Sequence, residues 1–142
     1  MISPVAKHLT KSEITLFEIV KRTLHELPET KVELESDRIF VLTRAFSQVF
    51  PVYHEDGIYS PHYLHSWLRT ESGHIIDLHQ PDTYGDPILV INSIGSRAFW
   101  QYNKRSTRAI SRGIFSMPPF RKAVRVTAKQ ISDIISESPR LK

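Results

Sequence analysis

The sequence predicts an α+β fold in which N-terminal helices pack on a small antiparallel sheet and C-terminal helices close the chain. Two amphipathic stretches with cap signals come first. The apolar period then drops from three-to-four to two after Pro51, and a capped helical pattern returns near the C-terminus. The 142 residues are read as a single domain, 1–142, large enough to bury its own core.

The first helix is expected within "TKSEITLFEIVKRTLHEL". Thr10 with Glu13 forms a capping-box pattern that satisfies free N–H groups at a helix start. Ile14, Phe17, Val20, Leu24 and Leu27 make an apolar stripe that Pro28 ends. A second helix is expected in "SDRIFVLTRAFSQVF", with Ser36 or Asp37 as N-cap and Ile39, Leu42, Phe46 and Val49 on one face. "VYHEDGIY" reads as a short strand entering a turn at Asp56-Gly57. "HYLHSWLRT" alternates, with Tyr63, His65, Trp67 and Arg69 sharing a face. "ESG" is a hairpin turn in which Gly73 is free to take positive φ. "HIIDLH" returns with Ile75, Asp77 and His79 on a common face, and "ILVIN" is an apolar strand for the sheet interior. One or two short helices are expected in "SRAFWQYNKRSTRAISRGIF", an extended link at "MPPF", and a final helix capped by Thr127 and Gln130.

Composition narrows the chemistry. The chain has no cysteine, which excludes disulfides, thiolate metal sites and a cysteine nucleophile within it. No apolar run approaches the roughly 20 residues of a membrane-spanning helix, and "MISPVAKHLTKSE" lacks a signal-peptide pattern, so a cytoplasmic location and no membrane partner are expected. Charge is split unevenly: 8 Lys/Arg face 13 Asp/Glu up to Asn92, against 11 and 2 from Ser93 onward. "YGDPILV" lacks the glycine spacing of a nucleotide site, and no cofactor is implied.

Catalytic candidates centre on the predicted hairpin. If it turns at Glu71–Gly73, His65 lies within one or two positions of Asp77 across the ladder, where side chains meet at about 5–8 Å. A carboxylate there can accept the imidazole Nδ1–H, fix its tautomer and favour imidazolium. This is the base and orienter of a nucleophile–His–Asp arrangement. The plainer alternative is a pair of polar residues on a wet sheet face.

The pattern "HSWL-x-x-x-x-G-x-I-I-D" resembles the His and Asp strands of the papain-like and transglutaminase-like superfamily, in the short form found in bacterial and phage proteins. The resemblance covers roughly residues 36–91, as a papain-like core followed by a basic helical part over 93–142. It implies acyl transfer, either hydrolysis of an amide or ester or transfer to an amine, with a protein or peptide-like substrate or partner. It assigns His65 as general base, Asp77 as its orienter and Trp67 as a wall over the imidazole, with His79 beside the substrate. It also implies a cysteine at the start of the helix packed on the sheet, where the helix dipole and an imidazolium lower a thiol pKa. The matching helix begins at "ESDRIF", without cysteine. Either Ser36 is a replacement nucleophile rather than a simple N-cap, or Arg38 or Ile39 fills the position and no nucleophile remains. The resemblance with its thiol missing describes a degenerate member of the superfamily.

Two other readings use residues outside this pair. Four histidines cluster at 62, 65, 74 and 79, but alternation leaves only His65, Asp77 and His79 convergent, so no metal site is assigned. In "WQYNKRSTRAISR", Lys104, Arg105, Arg108 and Arg112 would form a cationic helical stripe beside Trp100 and Tyr102. A non-catalytic module binding nucleic acid or an acidic protein through this surface is the alternative function. A solvated helix face explains the same residues.

Overall fold

Of the two N-terminal helices, the first forms on its cap signal. α1 spans Lys11–Glu26, with Thr10 and Glu13 exchanging the reciprocal bonds of a capping box. α2 spans Arg38–Val49 with Asp37 as N-cap, although the Asp37 side chain makes no capping bond. These elements come from a computed structural model that describes residues 9–29, 37–81, 86–93, 95–111 and 113–137. Ser36 and Arg112, singled out above, lie outside the described residues.

Five strands build one sheet: β1 (Tyr53–Tyr59), β2 (Tyr63–Arg69), β3 (Ile75–Asp77), β4 (Ile88–Val90) and β5 (Tyr102–Lys104). Their order is β4-β3-β2-β1-β5, and every adjacent pair is antiparallel. The first four strands form a meander. The chain then crosses to the opposite edge, where β5 pairs with β1 through Tyr59↔Tyr102 and Gly57↔Lys104.

Several expectations need correction. β1 does not turn at Asp56-Gly57 but runs on to Tyr59, and the turn into β2 follows at Ser60–His62, with a cis peptide between Ser60 and Pro61. Gly57 serves close packing instead: a Cβ there would collide with the Asn103 carbonyl and the Trp67 ring. β3 stops at Asp77, so His79 lies beyond the strand. Part of the segment expected to be helical is β5, followed by a five-residue helix α3 (Thr107–Ser111). The last helix, α4, spans Pro118–Glu137 and so begins where an extended link was expected. Its two leading prolines occupy the first turn, where a missing N–H costs nothing, and the first bond runs from Arg121 N–H to Met117 O. Thr127 is therefore a buried mid-helix residue and not a cap.

Both sheet faces are covered. On one, Leu68 and Ile76 pack with Val20 of α1, Leu42 and Phe46 of α2 and Ile131 of α4. On the other, Trp67 and Ile75 pack with Tyr59, Val90, Phe99 and Tyr102. α1 is further tied to the β2–β3 turn by Glu13, whose Oε2 accepts from Ser72 N–H at 3.4 Å. Burial pushes the Glu13 carboxyl up, but hydrogen bonds from Thr70, Thr10 and Ser72 outweigh it and hold the pKa at about 2.

Candidate functional site

The β2–β3 register, Leu68↔Ile76, places His65 one diagonal step from Asp77. The two side chains meet: His65 Nε2 lies 2.9 Å from both Asp77 oxygens. His65 is 1% exposed and Asp77 0%, so the pair is a buried contact and not two residues on a wet face. The nitrogen that meets Asp77 is Nε2 and not Nδ1 as expected. A diagonal separation needs the far end of the ring, and Nε2 is farther from the backbone. His65 Nδ1 is buried with no hydrogen-bond partner among the described residues.

Asp77 is held by further donors. The Tyr102 hydroxyl donates to Oδ2 at 2.7 Å, and the His79 backbone N–H donates to Oδ1 at 3.1 Å. Burial, reinforced by the negative charge of Asp77, pushes the Tyr102 phenol far above its ordinary pKa, so it keeps its proton and acts as a donor. Beside it, the Tyr59 hydroxyl accepts from Gln80 Nε2 at 2.6 Å and donates to Gln101 Oε1 at 2.7 Å. Trp67 flanks the imidazole with ring centroids 6.2 Å apart, and Tyr59 and Tyr63 meet it edge-on. The indole is itself fixed, its N–H donating to Glu55 Oε1 at 3.0 Å.

His65 also lines a cleft of about 370 Å³. Arg38, Ile39 and Leu42 of α2 form one wall, Tyr63 and Leu64 of β2 another, and His79 completes it. The first turn of α2 and His65 border the same cleft, although α2 packs on the sheet face of Ser66 and Leu68 and His65 shares the face of Trp67. Arg38 and Ile39 line it, and the described residues place no hydroxyl or thiol there. The ring is thus fixed through Nε2 at the border of a partly apolar cleft, with its Nδ1 shielded from solvent.

The other sequence candidates separate. His74 accepts from Asn92 N–H at 3.0 Å and is wholly buried, a structural role. Among the described residues, no group of three His, Cys, Asp or Glu could hold a metal ion. Lys104 ends β5, Arg105 lies in the following link with its N–H on Asp56 O, and Arg108 belongs to α3. They do not form one helical stripe, because Lys104 lies in β5 and Arg105 in the link before α3.

Sequence reasoning missed Tyr102, Tyr59, Gln80 and Gln101. Three-residue β5 gives too short an alternation to reveal Tyr102 as a sheet residue. It also missed a buried network between α2 and the sheet. Arg44 binds Asp56 through both terminal nitrogens at 3.0 and 2.6 Å, while Ser66, itself 2.7 Å from Thr43, and Thr107 donate to the same carboxylate. Burial pushes the Asp56 carboxyl up, but Arg44, Ser66 and Thr107 outweigh it and hold it below its ordinary value. No protein-family model, curated protein or solved structure matches the chain.

Proposed function

We propose that this chain is a degenerate papain-like or transglutaminase-like domain of the acyl-transfer class, retaining the base and its orienter but carrying no thiol. The observation that supports it is the buried His65–Asp77 pair beside a cleft walled by the first turn of α2. In an acyl-transfer site of this kind the imidazole takes the proton of a nucleophile and returns it to the leaving group. Asp77, fixed by Tyr102 and the His79 N–H, would hold the ring in one orientation throughout. With Arg38 and Ile39 on the nucleophile's side, the cleft keeps a binding role: Ile39, Leu42, Tyr63 and Leu64 suit the apolar groups of a peptide-like chain.

Restoring the thiol tests the reading. Arg38→Cys and Ile39→Cys are made separately, each also with His65→Ala, and alkylation by iodoacetamide is followed against pH. A cysteine facing the imidazole should react at about pH 6, well below the ordinary thiol pKa of about 8.5, and lose that advantage with His65→Ala. Ordinary thiol titration in both folded variants would overturn the proposal.

A further inference from the structure

A second concave surface shares no lining residue with the His65 cleft. Two adjoining cavities of about 730 and 380 Å³ meet over Arg44, His54 and Phe115, between α2, α3 and α4. Arg108 borders the first and Arg121 and Arg125 the second, and among the described residues no carboxylate lines either. Arg44 is neutralised by Asp56 and lies 4.4 Å over the Phe115 ring, so it forms floor. Arg108, Arg121 and Arg125 are exposed and have no ion-pair partner among the described residues. Arg121 and Arg125 stand one helical turn apart, about 6 Å along α4. Ser111 adds a neutral donor: it is buried, its Oγ accepts the Gly113 N–H at 3.1 Å, and no described residue takes its own proton.

We infer that this groove binds the phosphate backbone of a nucleic-acid duplex. Guanidinium forks and a hydroxyl donor match phosphate oxygens, and the lining carries no opposing charge. The aromatic floor argues against a single strand. Phe115 is stacked on Phe120 at 4.5 Å, contacts Phe40 at 4.9 Å and is covered by Arg44, so it offers no face to a base.

Fluorescence anisotropy with a short labelled DNA duplex, titrated with salt, tests the inference. The parent should bind at about 50 mM salt, with log K falling linearly in log salt. The triple variant Arg108→Gln/Arg121→Gln/Arg125→Gln should weaken binding and lower the steepness of that line by about 3, near one for each phosphate contact removed. Lys129→Gln removes one positive charge from α4 outside the groove, where Lys129 pairs with Asp133, and should change the slope by less than the one unit expected for each groove arginine. Thermal melting checks that each variant is folded. Absence of duplex binding, an unchanged salt slope in the triple variant, tighter binding of the matching single strand, or displacement by polyglutamate at equal charge would each overturn the inference.

Discussion

Asp77 has no contact with solvent, so its oxygens depend on donors from within the protein. His65, Tyr102 and the His79 N–H supply them, and the Tyr102 contact is the one a single substitution removes cleanly. Tyr102→Phe keeps the ring that packs on Trp67 and Tyr59 but leaves Asp77 Oδ2 one donor short. The expected cost is about 1–3 kcal/mol, read as a lower urea midpoint at unchanged slope. The His65–Asp77 contact itself was legible in the sequence, because a short hairpin with a glycine turn allows few registers and each brings the two residues close. The ring nitrogen was not legible, since register fixes strand positions and not side-chain reach. Tyr102 was hidden because nothing in "FWQYNK" says which strand it will join.

At the scale of elements, α1, α2 and the β2–β3 hairpin were readable because each carries its own local signals: a cap, a stripe and a turn glycine. β5 and the start of α4 were not. β5 is held by β1 from more than forty residues away, and the Pro118-Pro119 pair can open a helix as well as break one. Gly57 shows the same dependence on distant structure. In sequence it is half of an Asp-Gly turn signal, whereas in the fold it is the gap into which the Trp67 ring and β5 fit. Gly57→Ala is therefore expected to destabilise the protein by about 1–3 kcal/mol, as overpacking does, and to raise amide exchange at Asn103 and Lys104 more than in β3.

For the whole molecule, two buried carboxylates tie stability to pH: Asp56 and Glu13 are inside, while Glu18, Glu26 and Glu71 stay in solvent with Arg108, Arg121 and Arg125. Both carboxyls have pKa values lower in the fold than their unfolded values of 3.8 and 4.5. The unfolded chain therefore binds more protons as pH falls, and the stability these groups give is present above about 4.5 and withdrawn below it. For Glu13 the loss runs from 4.5 down to about 2. Urea midpoints measured across this range should fall with pH, and Glu13→Gln should flatten the fall while lowering the midpoint at neutral pH. The strand order carries a consequence for how the protein is made. His65 and Asp77 can meet within a local hairpin as soon as β3 leaves the ribosome. The phenol that covers Asp77 arrives 25 residues later, on a strand that must find the far edge of the sheet. The contact therefore draws on local chain alone, whereas its shielding waits on a strand from the far edge of the sheet.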